Sequence, residues 1–505
     1  MNKNGGKPIN AGGYGCLFKP ALKCKGKKRR KKTVSKVLLN QHAESEYDTI
    51  EFFKNKLKEI PDYSKYFMID NIEICKPDRL TKSDLTKFNE VCVNLKNFSS
   101  KTINNNLDKI KIINIPDGGI DLDKFITNTN ITAENFIVIN SLMINLLKNA
   151  VIPMNNKGVL HLDIKANNIM VSEDSNVKLI DWGLSHFNDG KIPNTILHFP
   201  ITFNMPFSSI LLNHNFETFI NNIISKNPDI LNHDSLNTAS LKTTIINYMY
   251  FLFKDAGLGQ FAYLNMILSN LYLPFMPSTD VNDLNNLSIY YFTMNHIVDY
   301  IIPIIRKFTK KNRFSPDEYY NTVFVKNVDI WGFLMCYEKY LYLLSQPKLS
   351  DNKLTKSDNK NLYMLLREIY IDILFSNPTQ VIDTNKLLEK LNNLNKIFIT
   401  IKNVKFETPI KSSKSKSNTK KIKYTPYPSK KTRTKNSLFN NAKKNITQEF
   451  SRGIKNLTSY YKNTKRNKSH KKRHNTHKKR HYLKPYHKTK SSLYTNKQLD
   501  TLFNL

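Results

Sequence analysis

The sequence contains few cysteines, few tryptophans and few acidic residues, and each shortage narrows what the chain can be. Its 505 residues include 5 cysteines and 2 tryptophans, with 41 acidic residues against 78 lysines and arginines. The cysteines are scattered and form no C-x-x-C pair. This spacing indicates neither a disulfide framework nor a zinc site, and it predicts a reducing compartment.

Long hydrophobic runs are also missing. Apolar stretches such as 248–253 (YMYFLF) are far shorter than the ~20 residues that a membrane helix needs. Residues 1–6 (MNKNGG) lack the apolar segment of a secretory signal. The sequence therefore predicts a soluble, intracellular protein with no membrane span.

Basic charge is concentrated near the C-terminus. Residues 411–490 contain 27 lysines and arginines and one acid, Glu449, so they carry +26 of the net +37. Few aliphatic residues occur after Thr408, and such a segment buries too little apolar surface to offset its ordering entropy. We expect residues 408–505 to be a disordered basic tail that binds nucleic acid or another polyanion without sequence preference. The alternative is a merely solubilising tail.

The most informative segment is a polar loop between two short apolar stretches, at 159–171 (VLHLDIKANNIMV). A second apolar strand, 177–180, ends at Asp181, just before a glycine. Turn-forming residues separate the strands, so the pattern predicts a hairpin that brings Asp163, Asn168 and Asp181 together. Such oxygen ligands suit Mg²⁺ held jointly with phosphates. The alternative is a solvated hairpin with ordinary turn residues.

This segment resembles the catalytic and metal loops of the protein kinases. Residues 161–168 (HLDIKANN) match the family pattern H-R-D-x-x-x-x-N, and residues 181–183 (DWG) match D-F-G. Lys165, two positions after the aspartate, is what Ser/Thr kinases carry there. The sequence looks most like the divergent kinases of large DNA viruses, which implies a location in the host cytoplasm or the virion.

The resemblance implies a role for each side chain of the loop. Asp163 is the expected catalytic base, and Lys165 is expected to stabilise charge on the transferred phosphoryl group. Asn168 and Asp181 are expected to hold Mg²⁺, with ATP as the phosphoryl donor.

The glycine-rich segment 10–19 (NAGGYGCLFK) resembles the kinase nucleotide loop, with an asparagine in place of the first glycine. Glycines let backbone amides approach phosphates closely. The resemblance implies that Gly12, Gly13, Gly15 and Leu17 lie against the nucleotide.

A strand is predicted at 33–39 and resembles the kinase V-A-I-K segment, so Lys36 is the expected ligand of the nucleotide phosphates. Glu46 begins a helical face that continues through Ile50, Phe53 and Leu57. A glutamate on an apolar face needs a cationic partner, and we expect Glu46 to pair with Lys36, with Glu44 as the fallback. The alternative for Glu46 is a surface position on an amphipathic helix.

Other segments are assigned from their patterns within the same frame. We expect a solvated basic loop, two further strands, a polar insert between those strands, a hinge that binds adenine, and a buried helix before the catalytic loop. The basic loop lies at 23–32, the two strands at 66–75 and 109–115, and the polar insert at 76–108. The hinge lies at 116–122 and the buried helix at 134–152.

The later part of the chain departs from the family pattern. Leu162 replaces the arginine that often grips a phosphorylated activation loop, so we expect activity independent of phosphorylation in the segment 184–207. Residues 208–322 read as a folded helical insertion. Asp329 lies in a segment resembling the D-x-W-x-x-G helix, which implies that it holds the catalytic loop near His161. The alternative is a helix N-cap.

Together these observations predict an α+β, bilobal, protein-kinase-like fold. A small β-rich N-lobe is expected at 1–118, a helical C-lobe at 119–402 with the insertion at about 208–322, and the tail at 408–505. The predicted function is ATP-dependent phosphoryl transfer to Ser/Thr hydroxyls of a protein substrate. The alternatives are a pseudokinase scaffold or nucleic-acid-associated virion protein, and a small-molecule kinase.

Overall fold

The computed structural model describes residues 6–11, 15–172, 176–198, 201–255, 258–272, 286–346 and 352–398. Within them the chain is a mixed α+β protein with small antiparallel sheets, mostly in the N-terminal part. The tail predicted at 408–505, and both Gly12 and Gly13, lie outside the described residues. The chain divides into two compact units. The described residues of the first unit lie within 1–191, 204–206 and 320–418, and those of the second, within 192–203 and 207–319, are mainly helical.

The strands are short and pair antiparallel within each sheet. Five form the largest sheet in the order β1-β2-β3-β5-β4, and β6-β8-β9 form a smaller one, while β7 pairs with β10 and β11 with β12. Their bounds are β1 Lys7–Ala11, β2 Gly15–Lys19, β3 Thr33–Leu39, β4 Glu73–Cys75, β5 Ile110–Pro116, β6 Ile120–Asp121, β7 Val159–Leu160, β8 Ile169–Val171, β9 Val177–Leu179, β10 His186–Phe187, β11 Thr309–Lys310 and β12 Arg313–Phe314.

Helices make up most of the described residues after β6. The described α-helices are α1 Asn40–Leu57, α2 Tyr63–Tyr66, α3 Phe88–Val91, α4 Leu122–Asn128, α5 Ala133–Leu146, α6 Ile152–Asn156, α7 Asn194–His198, α8 His214–Lys226, α9 Ser235–Asp255, α10 Leu258–Tyr272, α11 Asn286–Lys307, α12 Pro316–Tyr319, α13 Val325–Met335, α14 Glu338–Ser345, α15 Lys356–Ile369 and α16 Thr384–Lys396.

The five-stranded sheet is covered on both faces. Leu38 and Ile113 pack with Ala43 of α1 on one face. Phe18 and Val37 belong to the apolar cluster on the other face. That second face is covered by side chains of the insert 76–108, so the insert predicted to be polar supplies part of the core.

Four cysteines correct the prediction that no disulfides form. Cys16 is bonded to Cys92 and Cys24 to Cys75, and in the described part of the chain only Cys336 is free. The partners are 76 and 51 residues apart, so a search for closely spaced cysteines misses them. The reducing compartment inferred from the same spacing loses that support.

The strand predicted at 66–75 is confirmed only at its end. Tyr66 ends the short helix α2, and the strand that joins the sheet is β4, at 73–75. Phe67 makes a single bridge to Leu179, and both Phe67 and Ile69 are buried. Their alternating burial in an irregular segment has the same period as a strand, which explains the error.

The helix predicted at 134–152 is present as α5, a π-helical turn at 147–151 and α6. Among the described helices, this stretch at 133–156 has the length and composition to cross a membrane, but half of its most apolar window is buried inside the protein. Asn140 on its buried side donates to the Leu391 carbonyl (2.8 Å) and to Asn395 Oδ1 (2.9 Å) in α16. This packing is typical of a core helix.

The second unit includes residues 207–319, and their described part is helical except for the short strands β11 and β12, as the apolar periodicity predicts. Phe216, Ile220 and Ile224 form the buried stripe of α8. Arg306 on α11 donates to the carbonyls of Leu231 and Asn232, and therefore ties α11 to the turn that precedes α9.

Candidate functional site

The candidate site is a loop between two buried strands. Strand β7 ends at Leu160, a 3₁₀ turn covers Ala166–Asn168, and β8 begins at Ile169. Leu162 and Ile164 are each 1% exposed. Because these two side chains anchor the loop in the core, Asp163 between them and Lys165 beside them are presented from a fixed backbone.

Three side chains orient the carboxylate of Asp163. Lys165 Nζ lies 2.9 and 2.8 Å from its two oxygens. Asn168 Nδ2 donates to Oδ2 at 2.8 Å, and Asn204 Nδ2 donates to Oδ1 at 2.9 Å. The Asp163 side chain keeps 14% of its surface exposed, so it is held in place and still reachable.

Asn204 is a functional candidate that sequence reasoning missed. In the sequence, Asn204 lies near the end of the segment 184–207, and no local pattern marks it as functional. The side chain is 5% exposed, and besides Asp163 it donates to the Ile164 carbonyl at 3.3 Å. Asn204 therefore fixes the Asp163 carboxylate relative to the backbone of its own loop.

A buried carboxylate anchors the loop from α13. Asp329 Oδ2 accepts from the His161 amide at 2.8 Å, and Oδ1 accepts from the Leu162 amide at 2.9 Å. Asn155, also missed in the sequence, donates to Asp329 Oδ2 at 2.7 Å. Asp329 lies inside α13 and not at its start, so the N-cap alternative is wrong and the predicted contact is confirmed.

Gly332 allows α13 to approach the loop closely. A Cβ atom at this position would lie 2.6 Å from the Ile164 carbonyl oxygen and 3.1 Å from the Asn204 carbonyl oxygen. Because contacts this short are repulsive, only glycine fits without a shift of the backbone.

His161 connects the loop to the segment before Asp181. Its Nδ1 accepts from the Asp163 amide at 3.3 Å, so the proton is assigned to Nε2, which donates to the Ile180 carbonyl at 3.1 Å. Burial lowers the pKa of His161, and this outweighs the opposing effects of nearby carboxylates including Asp329. A neutral ring therefore spans the backbones that carry Asp163 and Asp181.

Asp181 follows the β8–β9 hairpin that the sequence predicts. The Ile180 amide donates to the Asn168 carbonyl at 3.0 Å, so Asp181 directly follows a residue bonded to Asn168. Its backbone is left-handed, with φ of 67°. This conformation is uncommon for a non-glycine residue and clusters at functional sites.

Lys36 and Glu46 form the expected ion pair. Lys36 Nζ lies 2.7 Å from both carboxylate oxygens of Glu46, and their side chains are 21% and 20% exposed. Glu44, the fallback, pairs with Lys111 at 2.5 Å instead. Leu17 of β2 is the register partner of Lys36, so the strand after the glycine-rich segment lies beside this lysine.

The described part of the glycine-rich segment belongs to strands β1 and β2 of the five-stranded sheet, and its backbone lies close to β3 at Gly15. A Cβ atom on Gly15 would lie 2.3 Å from the Val37 carbonyl oxygen, which explains the glycine. Gly12 and Gly13, two of the predicted nucleotide contacts, lie outside the described residues.

Trp182 packs the Asp181 segment against α1. Its ring lies 5.7 Å from Phe53, 5.6 Å from Phe67 and 5.0 Å from His161, measured between ring centroids. The indole is 3% exposed. The larger ring is thus accommodated where the kinase pattern has phenylalanine.

The residues present suit Mg²⁺ shared with phosphates. In the described ranges no group of three or more His, Cys, Asp or Glu side chains could hold a metal ion. Asp181 is exposed, and no described residue bonds to its carboxylate. Asn168 uses Nδ2 for Asp163, which leaves Oδ1 for a cation. One or two protein oxygens completed by phosphate and water are the usual set for Mg²⁺.

Searches against family models and against curated proteins returned no match to the chain.

Proposed function

We propose that the chain is a protein kinase, with a bilobal kinase-like fold, that transfers the γ-phosphoryl group of ATP to Ser/Thr hydroxyls of protein substrates. The observation that carries the proposal is the Asp163 carboxylate, held by Lys165, Asn168 and Asn204 on a loop that Asp329 anchors. A solvated turn has no need of such buried support.

Asp163 is suited to receive the proton of the substrate hydroxyl. Its oxygens are kept in one orientation by three donors, which lowers the cost of reaching a reactive geometry. Lys165 lies within 2.9 Å of the same carboxylate, so its ammonium group can also neutralise negative charge that develops on a phosphoryl oxygen. The contribution of the protein is positioning and electrostatic stabilisation.

Asn168 and Asp181 are the residues that would hold Mg²⁺. The ion supplies charge neutralisation on the phosphate oxygens when it is bound. Lys36 provides a second cation for the phosphates, and Glu46 keeps its ammonium group directed, because both carboxylate oxygens contact Nζ. The glycine-rich strand β2 lies next to Lys36 and limits the space open to a nucleotide.

The proposal is tested by transfer from radiolabelled Mg-ATP to a mixed protein substrate. We expect Asp163→Asn to lower transfer by about 100-fold or more. The matched control is Asp62→Asn, which changes an exposed aspartate paired with Lys65 and should leave transfer unchanged. Equal rates for wild type and Asp163→Asn would contradict the proposal. Nucleotide binding without any transfer by the wild type would favour the scaffold alternative.

Asn204→Ala separates positioning from nucleotide binding. The variant loses the bond to Asp163 Oδ1, so we expect kcat to fall by about 10-fold or more while the KM for ATP stays within a factor of about two. A rise in KM with unchanged kcat would show that Asn204 does not act on the carboxylate.

Activity should not depend on phosphorylation of the segment 184–207. Leu162 replaces the family's arginine and is 1% exposed, so it offers no cation to a phosphate. Phosphatase treatment is expected to leave the transfer rate unchanged.

A peptide panel compared with a panel of hydroxylated metabolites distinguishes a protein kinase from a small-molecule kinase.

The basic tail at 408–505 is proposed, from its sequence, to bind polyanions. Because such binding releases counterions, affinity for nucleic acid should fall steeply with salt. A salt titration of the chain with and without residues 408–505 tests this. Identical affinity and salt dependence for both would contradict it.

A further inference from the structure

Two disulfides constrain β2, the strand that forms the second half of the glycine-rich segment, and the basic loop that follows it. Cys16 of β2 is bonded to Cys92 in the insert, and Cys24 in the basic loop is bonded to Cys75 of β4. Their Cα atoms are 5.1 and 5.8 Å apart, within the range that disulfides require. The segment 16–24 is therefore tied at both ends to elements far along the chain.

The insert 76–108 has little regular structure of its own. It contains only α3 and two 3₁₀ turns among its described elements. It is held to the sheet by apolar side chains that are at most 5% exposed, namely Leu80, Phe88, Leu95 and Ile103. Its position depends on this apolar contact, on the Cys16–Cys92 bond and on the ion pairs Arg29–Asp84 and Lys23–Asp78 to the basic loop.

Cys16 lies one position along β2 from the residue that pairs with Lys36, the proposed ligand of the nucleotide phosphates. It follows Gly15, which the Val37 carbonyl touches so tightly that no side chain fits. Its own register partner is Val37, and the next pair along the two strands is Leu17 with Lys36. A displacement of Cys16 is therefore transmitted to the glycine-rich segment and to the phosphate-binding lysine.

The two bridges differ in their access to solvent. Cys16 and Cys92 are 0% and 3% exposed, whereas Cys75 is only partly buried. Cys24 Sγ accepts from Asn114 Nδ2 at 3.2 Å, and a hydrogen-bond donor to the sulfur favours its departure as a thiolate. A reductant therefore reaches the Cys24–Cys75 bridge first, by attack on Cys75 Sγ.

We propose that the two disulfides form a redox clamp on the nucleotide-binding strand, which a dithiol reductant opens in a fixed order. In each step a thiolate of the reductant attacks one sulfur and the other cysteine leaves as a thiolate. The second thiol of the reductant then closes its own disulfide. Each bridge takes up two electrons and two protons and becomes two thiols.

Opening of each bridge has a distinct consequence. Without the Cys24–Cys75 bridge, the basic loop remains held to β4 by Lys27 and Arg30, which both pair with Glu73, so this opening is the milder of the two. Loss of Cys16–Cys92 releases the insert from β2 and lets the glycine-rich segment move, which weakens nucleotide binding. The catalytic loop around Asp163 is not part of either bridge, so the chemical step is spared. This regulatory effect rests on the proposed kinase function.

The test uses the full chain purified without reductant and exposed to graded dithiothreitol. Alkylation followed by mass spectrometry reports which cysteines are free, and hydrogen exchange reports opening of residues 15–19. We expect Cys24 and Cys75 to be alkylated before Cys16 and Cys92. When the second bridge opens, exchange at 15–19 and the KM for ATP should rise several-fold, while kcat changes less than KM.

Two variants complete the test. Cys16→Ser combined with Cys92→Ser should show the high KM at every reductant concentration, and Cys336→Ala, which keeps both bridges, should retain the redox response. If the double variant does not fold, Cys92→Ser alone at matched reductant concentrations replaces it.

The outcomes separate this proposal from the kinase assignment. Four alkylated cysteines before any reductant is added, or unchanged exchange and KM after complete reduction, would overturn the clamp. Absence of transfer in both redox states, with the expected order of alkylation and exchange, would support the clamp on the strand and contradict the kinase function.

Discussion

Replacement of Asp329 should loosen the loop that carries Asp163 from its support in α13. The carboxylate is 1% exposed and accepts three hydrogen bonds, from the amides of His161 and Leu162 and from Asn155 Nδ2. Asp329→Ala leaves these three donors without an acceptor. At about 1–3 kcal/mol for each buried donor, and with water filling part of the vacated space, we expect a loss of roughly 3–5 kcal/mol of stability.

The position of the two tryptophans makes the effect measurable. The chain contains only 2 tryptophans. Trp331 lies in the same helix as Asp329 and is fully buried, and Trp182 contacts the ring of His161. Denaturant unfolding followed by tryptophan emission therefore reports directly on the contact between α13 and the loop at 161–168. We expect a lower unfolding midpoint for Asp329→Ala and red-shifted emission before the main transition.

Asp329→Asn provides an intermediate case. The new side chain keeps one acceptor oxygen, but its NH₂ group replaces the other oxygen and faces a backbone N–H, so two donors meet there. Its loss of stability should lie between wild type and Asp329→Ala, at about 1–3 kcal/mol, and phosphoryl transfer should fall in the same order. If Asp329→Ala unfolds at the wild-type midpoint with unchanged emission, the anchoring argument is refuted.

Other perturbations test separate parts of the account. Glu46→Gln should raise the KM for ATP and lower transfer in steady-state assays, whereas Glu44→Gln, which alters a surface pair, should change neither. Gly332→Ala should lose about 1–3 kcal/mol in chemical denaturation because its Cβ meets a backbone oxygen; Gly259→Ala, with open space at its Cβ, should be neutral or slightly stabilising. Burial lowers the pKa of His296 to about 4. As the pH falls, the His296 side chain therefore binds a proton in the unfolded chain before it does so in the folded chain. Stability of the helical unit should therefore decline by up to roughly 3 kcal/mol as the pH falls from about 6.5 to 4 in thermal unfolding scans, and His296→Phe should remove that component.

The parts of the site that could be predicted lie close together in the sequence. Asp163, Lys165 and Asn168 belong to one loop, and the hairpin that follows fixes Asp181 through local pairing. The Lys36–Glu46 pair was predictable because the helical period places Glu46 on the same face as buried residues.

The missed features depend on contacts between distant residues. Asn204 is 41 positions from Asp163 and Asn155 is 174 positions from Asp329, and an asparagine carries no local pattern that reveals such a partner. The disulfides were missed for the same reason. Burial of the insert against the sheet brings their cysteines together, and that packing depends on the tertiary fold.

The central claim is that Asp163, Asn168 and Asp181 serve one phosphoryl-transfer site. The most direct measurement is single-turnover transfer from radiolabelled ATP as a function of Mg²⁺ concentration, for wild type and Asp181→Asn with matched circular dichroism spectra. We expect Mg²⁺-dependent labelling of protein Ser/Thr by the wild type and almost none by the variant. Equal labelling by both proteins, or wild-type labelling that ignores Mg²⁺, would contradict the account.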